Sequence, residues 1–206
     1  EKTDGTCANS IIANNFIYNM SGDANNIPKA IEFGDSSINS LRDIVIENNL
    51  IENISCTDTT PPSLCEQHVV GIGIQLITGK NITVNNNSIQ TSGSGFYISG
   101  SAPFAVNNNT LTSNFHGISY GEATGPGVGI GINHTILINN TFNSNTFGIS
   151  LRYDSYNNTF QNNIFTSNTI TINDTSNMSN ELSYENSFGI INWTKTNIST
   201  DTDINI

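Results

Sequence analysis

Positively charged residues are scarce in this sequence. Only 6 of its 206 residues are lysine or arginine, against 17 aspartates and glutamates, so the formal net charge is −11 at pH 7. Proteins that bind nucleic acids or anionic membrane surfaces do so through clusters of positive charge, which attract phosphate groups. The composition therefore argues against nucleic acid as a partner.

Long apolar runs are also missing. No stretch of 18 apolar residues occurs, so we expect no membrane span. The chain begins EKTDGTCANS, without a methionine or an apolar signal region, which is typical of a processed mature protein or of a trimmed chain. No Pro/Gly/Ser-rich linker divides the sequence, so we predict a single domain over residues 1–206.

Cysteine is rare, with three residues in the chain. Cys56 and Cys65 bracket the loop CTDTTPPSLC, and a disulfide that closes such a loop stabilises the fold by about 3 kcal/mol in the chain-entropy model. We expect this disulfide and an extracytoplasmic location, with two free thiols as the alternative. A metal site is disfavoured, since only His68 lies nearby and no CxxC spacing occurs. Cys7 is left either unpaired or linked to another chain.

Asparagine is the residue in excess, with 35 of the 206 positions. Asparagine pairs recur between apolar residues, as in VNNNSI (84–89), VNNNTL (106–111), LINNTF (137–142) and FQNNIF (160–165). The second asparagines of the pairs are 34, 38, 22, 31, 23 and 23 residues apart, and the longer intervals fit the same unit with insertions. Such a period is typical of a solenoid. These anchors are Asn15, Asn49, Asn87, Asn109, Asn140, Asn163 and Asn186.

Apolar residues hold fixed positions around each anchor. Ile, Val, Leu or Phe lies three residues before and two residues after the first six anchors, and nine residues after four of them. Each unit therefore holds three short strands, separated by Asn, Gly and Ser turns. Such a unit is one coil of a parallel β-helix. We predict about seven coils and a length of about 34 Å.

The asparagine pair is predicted to form the corner between two strands of a coil. One residue of that corner adopts a left-handed conformation, which asparagine tolerates better than other non-glycine residues. Equivalent residues of stacked coils lie about 4.8 Å apart, so the asparagine side chains can form a hydrogen-bonded ladder. We assign this ladder no catalytic or metal-binding role.

Units such as FGISLRYDSYNNTFQNNIFTSN (147–168) resemble the right-handed parallel β-helix repeat superfamily, which includes pectate lyases, polygalacturonases and periplasmic copper-processing proteins. The resemblance covers residues 10–190 and implies a single-stranded right-handed parallel β-helix. It implies no single function, since such coils carry enzymes, adhesins, phage spikes and surface proteins alike.

Twelve N-x-S/T sequons for N-glycosylation occur in the chain. Three of them begin at Asn86, Asn108 and Asn139, which belong to the corner pairs, where burial in the ladder would exclude a glycan. The other nine are the predicted glycan acceptors: Asn19, Asn53, Asn81, Asn133, Asn157, Asn173, Asn177, Asn192 and Asn197.

The enzymes that this sequence resembles bind substrate along the outer face of one strand stack. In the third strand of each coil, one outward column is predicted to contain Glu32, Gly73, Tyr97, Ser119, Ser150 and Asn173. The next outward column is predicted to contain Gly34, Gln75, Ser99, Gly121, Arg152 and Thr175.

These columns predict no catalytic residue. A glycosidase needs two carboxyl groups about 5 to 10 Å apart, and the columns contain one. Glu32 and Arg152 are four coils apart, or about 19 Å, and cannot share a reacting centre. His116, in NFHGISYG, is interpreted as a histidine in a surface turn rather than as a general base. We predict no metal and no cofactor.

Insertions and the C-terminal tail suggest contact surfaces. SGDANNIPK and SCTDTTPPSLCEQHVV are predicted to leave the same corner on adjacent coils, and GEATGPGVG (121–129) to leave a different corner. Neither end of the chain shows a helical period that would cap the solenoid. The strand-like tail, residues 190–206, either closes the last coil of its own chain or pairs with the first coil of the next molecule.

We therefore predict a non-catalytic extracellular structural or surface glycoprotein that self-assembles head to tail, as a filament or surface-layer subunit. Its expected partners are further copies of itself, with glycans as a second class. The alternative is a carbohydrate-active β-helix protein, either lyase-like or hydrolase-like or glycan-binding, that depends on Glu32 or Tyr97. An ice-binding or mineral-binding face needs a flat threonine column, which the outward columns lack.

Overall fold

The computed structural model of the chain describes residues 7–23, 27–34, 41–56, 71–77, 79–91, 93–99, 104–120, 134–151, 158–174, 180–182, 187–188 and 198–200. Within these residues the chain forms 21 β-strands, β1 to β21 in chain order, and no helix. The all-β prediction is therefore confirmed.

The strands form three sheets. The first sheet contains β1 (Cys7–Ala13), β4 (Leu41–Glu47), β7 (Lys80–Asn85), β10 (Phe104–Asn107), β13 (Ile136–Ile138), β16 (Thr159–Gln161), β19 (Asn180–Leu182) and β21 (Ile198–Thr200). The second sheet contains β2 (Phe16–Gly22), β5 (Leu50–Cys56), β8 (Ser88–Thr91), β11 (Thr110–Thr112), β14 (Thr141–Asn143), β17 (Ile164–Thr166) and β20 (Ser187–Phe188). The third sheet contains β3 (Lys29–Gly34), β6 (Ile72–Ile77), β9 (Ser94–Ser99), β12 (His116–Tyr120), β15 (Phe147–Leu151) and β18 (Ile170–Asp174).

Neighbouring strands in each sheet come from successive coils and run parallel to each other. Each coil contributes one strand to each sheet, so that β1 to β3 form the first coil and β4 to β6 the second. Six coils are complete at β18, and β19 and β20 belong to a seventh. This architecture is the parallel β-helix that the asparagine spacing predicts.

The interior of the β-helix is filled by apolar columns. From the second coil onward, the residues three before and two after each ladder asparagine are at most 1% exposed: Ile46, Val84, Val106, Leu137 and Phe160 in one column, and Ile51, Ile89, Leu111, Phe142 and Phe165 in the other. Side chains of one column pack on each other from coil to coil, as Phe142 and Phe165 do with ring centroids 4.7 Å apart. A thin apolar core of this kind requires only a modest apolar fraction, which is 35% here.

The asparagine ladder joins the first six coils. The backbone N–H and the Nδ2 of Asn15 both donate to Oδ1 of Asn49, at 3.0 and 2.9 Å. The same pair of hydrogen bonds repeats at every further step, through Asn87, Asn109 and Asn140 to Asn163. The predicted ladder is therefore confirmed at six anchors, while the seventh, Asn186, lies outside the described residues.

The two asparagines of each corner pair have different tasks. The left-handed residue is the first of the pair, with φ between 53° and 59°: Asn14, Asn48, Asn86, Asn108, Asn139 and Asn162. The second residue forms the ladder and is at most 2% exposed from Asn49 onward. A single pair thus supplies the sharp bend and also satisfies buried polar groups at it.

A second ladder lies at the next corner, between the second and third sheets. The backbone N–H and Nδ2 of Asn114 donate to Oδ1 of Asn145, and the same groups of Asn145 donate to Oδ1 of Asn168, all at 2.9 to 3.0 Å. Thr91 begins this ladder by donating to Asn114. The sequence prediction missed it because a serine, rather than another asparagine, precedes each member. The repeated Ser-Asn five residues after the first ladder could have revealed it.

The second coil departs by two residues from the predicted register. Gln75, rather than Gly73, pairs with Glu32 and Tyr97, so the outward column contains Glu32, Gln75, Tyr97, Ser119, Ser150 and Asn173. In the next column Ile77, rather than Gln75, pairs with Gly34 and Ser99, while Gly121, Arg152 and Thr175 lie outside the described residues. The segment GIGIQLI alternates regularly, so a two-residue slip keeps its apolar pattern and the pattern alone cannot select the register.

The insertions leave the corners that the sequence predicts. The segments between β2 and β3 and between β5 and β6 join the second sheet to the third in adjacent coils. The segment between β12 and β13 joins the third sheet to the first. In the C-terminal tail, β21 pairs in parallel with β19 of the same chain. The choice between the two predicted arrangements of residues 190–206 stays a prediction, since only 198–200 of the tail lie in the described residues.

Candidate functional site

The first coil is the least covered part of the apolar core. Ile12 pairs with Ile46, and Ile17 with Ile51, yet Ile46 and Ile51 are 0% exposed while Ile12 and Ile17 are only partly buried. All the partly buried residues that pack against the main core cluster belong to this coil: Ile12, Ile17, Met20, Ala30 and Phe33. The first described coil therefore leaves several core side chains only partly buried.

The outer rim of the first coil is also apolar. Ile11, Phe16 and Tyr18 are 68%, 58% and 55% exposed, more than any other large apolar side chain of the described residues. Phe16 and Tyr18 stack with ring centroids 4.7 Å apart, and Leu50 of the next coil, 37% exposed, pairs with Phe16. Exposed apolar residues that cluster in this way mark interaction surfaces more often than isolated ones do.

The backbone and charge of this end suit contact with another strand. β1, β2 and β3 are the terminal strands of their sheets, and no described strand pairs with their outer edges. An unpaired edge presents backbone N–H and C=O groups that another strand can bind. Residues 7–22, which include β1 and β2, contain no charged side chain, although the whole chain carries −11.

The first ladder also ends open at this coil. Each later ladder asparagine accepts two hydrogen bonds at Oδ1 from the coil before it, whereas Oδ1 of Asn15 accepts none from the described residues. The Nδ2 of Asn49 donates to the carbonyl of Ile12, while the Nδ2 of Asn15 donates to Ala13 of its own coil. The bonding pattern of the interior is thus incomplete at the N-terminal end.

The sixth coil contrasts with the first. Its core residues Phe160, Phe165 and Ile172 are 0%, 1% and 2% exposed. The strands β16 and β17 continue into the seventh coil by pairing with β19 and β20. Within the described residues the first coil is therefore less covered than the sixth.

The structure does not bring together the residues of the carbohydrate-active alternative. Glu32 is exposed and forms an ion pair with Lys29, whereas Tyr97 is 3% exposed and packs against Ile72 and Ile27. Gln75 lies between Glu32 and Tyr97 in the outward column, so the two are two coils apart, or about 10 Å. Much of this face is covered, since Ser119 and Ser150 are 0% exposed.

The interpretation of His116 as a histidine in a surface turn is wrong. The residue lies in β12 and is 0% exposed. Its ring stacks on Phe147, with centroids 5.1 Å apart, and contacts Phe115 edge to face at 4.8 Å. The two phenylalanines give the imidazole ring an apolar environment, which is consistent with its burial.

The structure describes only some of the remaining predicted site residues. Cys7 begins β1 and Cys56 ends β5, while Cys65 lies outside the described residues, so the disulfide stays a prediction. Of the predicted glycan acceptors, Asn19, Asn53 and Asn81 are exposed, and Asn173 is partly buried. The others lie outside the described residues: Asn133, Asn157, Asn177, Asn192 and Asn197.

The prediction that burial excludes a glycan from the three sequons at the corner pairs is wrong. Asn86, Asn108 and Asn139 are exposed left-handed residues, and the buried ladder members are their successors. Burial in the ladder therefore does not exclude a glycan at these positions. The prediction assigned both residues of each pair to one environment, whereas the corner separates them.

No group of three or more His, Cys, Asp and Glu side chains in the described ranges lies close enough together to hold a metal ion. That part of the chain likewise contains no helix long and apolar enough to cross a membrane. Comparison of the chain with protein-family models, with curated proteins and with solved structures finds no match. The partly exposed core residues of the first coil are therefore the main structural indication of function.

Proposed function

We propose that this protein is a non-catalytic structural subunit whose copies stack head to tail through the ends of the β-helix, as in a filament or a surface layer. The observation that carries the proposal is the exposure of Ile12 and Ile17 in a coil whose neighbour buries the same positions completely. A further coil placed on the first would bury these side chains, and burial of apolar area contributes about 25 cal/mol per Å².

The ladder gives the proposed contact a direction. Its hydrogen bonds run from the amide N–H groups of one coil to Oδ1 of the next, so a preceding coil would have to supply donors to Oδ1 of Asn15. Two N-terminal ends face to face would place acceptor against acceptor. A head-to-tail contact matches donors to acceptors and propagates without closing, which produces a filament.

Charge is compatible with this contact. Copies that each carry −11 repel each other, and this repulsion is smallest where the facing surface is neutral. Residues 7–22 form such a surface. Since β21 pairs with β19 of its own chain, the proposal relies on stacked coils and not on a donated strand.

We further infer an extracellular or cell-surface location and N-glycosylation. The spacing of Cys56 and Cys65 supports an oxidising environment, and the exposure of Asn19, Asn53 and Asn81 makes these sequons accessible. The parallel coils also support placing the chain with the right-handed β-helix repeat superfamily, which it resembles in sequence.

Sedimentation velocity over a range of concentrations tests the proposal. The unmodified chain should form larger species as its concentration rises. Ile12→Asp places a charge at the open end and should keep the protein monomeric. Ile164→Asp is the matched control, because Ile164 is 46% exposed on the outer face of the second sheet and far from the first coil. Circular dichroism confirms that both variants are folded.

Three results would overturn the proposal. The first is an unmodified chain that stays monomeric at every concentration. The second is equal loss of assembly in Ile12→Asp and Ile164→Asp, which would locate the contact elsewhere or make it nonspecific. The third is a native protein whose intact mass reveals further N-terminal sequence that covers Ile12, which would make the end an internal coil junction.

A further inference from the structure

Two of the six basic residues of the chain lie side by side on the first sheet. Arg42 of β4 and Lys80 of β7 are register partners on adjacent strands, so their Cα atoms are about 4.8 Å apart. Both side chains are exposed, and neither forms an ion pair with a described residue, whereas Lys29 on the third sheet is paired with Glu32. Like charges this close repel each other and gain stability from an anion placed between them.

These two cations border a groove of about 570 Å³ that crosses the second to the fifth coil. Lys80 is in the third coil and His134 precedes the first strand of the fifth, so the groove extends over about 14 Å from Arg42. Its accessible apolar lining comes from Ala105, which is partly buried, and Ile136, which is 44% exposed, whereas Ile82 and Phe104 also border it but are 1% exposed and belong to the core. The volume is within the usual range for a small-molecule site.

The acidic and amide side chains of the groove are engaged with each other. Asp43 and Asn81 both have left-handed backbones, and Nδ2 of Asn81 donates to Oδ1 of Asp43 at 2.7 Å. This hydrogen bond links β4 and β7 of two adjacent coils beside Arg42 and Lys80. Asp43 lies in the groove but is not within ion-pair distance of either cation.

We propose that this groove binds a ligand that carries an oxyanion group, such as a sulfate or a carboxylate, on an apolar-faced body. The oxyanion lies between Arg42 and Lys80, which donate charge-assisted hydrogen bonds to it. The body of the ligand lies along Ala105 and Ile136, toward His134. On a chain with a net charge of −11, attraction of an anion requires a local concentration of cations of this kind.

Backbone amide chemical shifts, measured on protein made without N-glycans, test the proposal. The probes are a sulfated disaccharide, the same disaccharide without sulfate, and an aryl sulfate of similar size. The sulfated disaccharide and the aryl sulfate should shift amides at 80–82, 104–105 and 134–136, and the unsulfated sugar should not. Comparison of the two sulfated probes shows whether the groove prefers a sugar or an aromatic body.

Matched variants locate the binding. Lys80→Gln should weaken binding of the sulfated probes roughly tenfold, because a charge-assisted contact is lost. Lys29→Gln makes the same substitution on another sheet and should leave the affinity unchanged. Raising the ionic strength from 0.05 to 0.5 M, about a threefold decrease in screening length, should weaken binding further. Absence of shifts with both sulfated probes, equal binding of the unsulfated sugar, or an unchanged affinity in Lys80→Gln would overturn the proposal.

Discussion

At the scale of single residues, the asparagine pair combines two requirements that one residue cannot meet. Asn108 takes the left-handed backbone conformation, with φ of 56°, and its side chain is exposed. Asn109 is 1% exposed and forms hydrogen bonds with the coils on both sides. The sequence predicts that the pair forms a corner, because the pair recurs at fixed distances from apolar residues. It does not reveal which asparagine is buried, since both have the same chemistry and differ only in backbone conformation.

Neighbouring substitutions at this corner should therefore have very different effects. Asn109→Ala removes the acceptor of two hydrogen bonds from Asn87 and a donor to Asn140, which leaves buried polar groups unsatisfied. We expect a loss of about 2 to 4 kcal/mol in the free energy of unfolding. Asn108→Gly keeps the left-handed backbone conformation accessible. This substitution should change the free energy of unfolding by less than about 1 kcal/mol. Urea denaturation measures both, and equal losses would contradict the assignment of the two roles.

Burial of Tyr120 makes the stability of the fold depend on pH in alkaline solution. Burial raises the pKa of its phenol well above the ordinary value of about 10, and its hydroxyl has no hydrogen-bond partner among the described residues. The unfolded chain therefore loses this proton at lower pH than the folded protein, so stability is full below about pH 10 and decreases as the pH rises above it.

Tyr120→Phe should therefore raise stability at neutral pH by about 1 kcal/mol, because it removes an unsatisfied buried hydroxyl. The substitution should also reduce the decrease in folding stability between pH 9 and 11, a range around the ordinary phenol pKa of about 10. Tyr18→Phe, at a 55% exposed position, is the control and should leave the alkaline profile unchanged. Melting curves across this pH range measure both effects, and identical profiles for the two variants would contradict the account.

At the scale of strands, the pairing register of the third sheet depends on close packing at glycines, which the pattern of apolar residues does not reveal. In the third sheet a glycine precedes the first residue that belongs to the main core cluster in β6, β9, β12 and β15. At Gly73 an added Cβ would lie 2.6 Å from the carbonyl oxygen of Gly95. The long insertion before β6 removes the fixed spacing to the anchor, so counting from Asn49 fails there. The glycine positions in the sequence do not select the register either, because Gly71 and Gly73 are two residues apart and a two-residue slip again places a glycine beside Gly95.

Gly117 offers a direct test of this packing. An added Cβ would lie 2.5 Å from the carbonyl oxygen of Gly148 and 2.8 Å from Cδ1 of Phe142, so Gly117→Ala has to push two coils apart. We expect a loss of about 1 to 3 kcal/mol in the free energy of unfolding. Ser119→Ala, in the same strand, removes a buried hydroxyl that has no hydrogen-bond partner among the described residues. This substitution should change the free energy of unfolding by less than about 1 kcal/mol. Urea denaturation measures both variants, and an unchanged free energy of unfolding in Gly117→Ala would contradict the close packing of the coils at this position.

At the scale of the whole molecule, the first coil of the described β-helix differs from the interior coils that follow it. The sequence predicts that a solenoid without a helical cap exposes strand edges, and no described strand pairs with the outer edges of β1, β2 and β3. It could not predict how far the core itself is open, because exposure of Ile12 depends on what the neighbouring coil covers and not on the local pattern. The sequence also left the path of the tail undecided, and β21 pairs within its own chain.

Electron microscopy of the purified chain at high concentration tests the central claim most directly. Head-to-tail stacking predicts unbranched filaments in which all subunits point the same way and repeat about every 34 Å, the length of seven coils at the spacing of parallel strands. Isolated particles of single-subunit size, or symmetric pairs joined at their N-terminal ends, would contradict it.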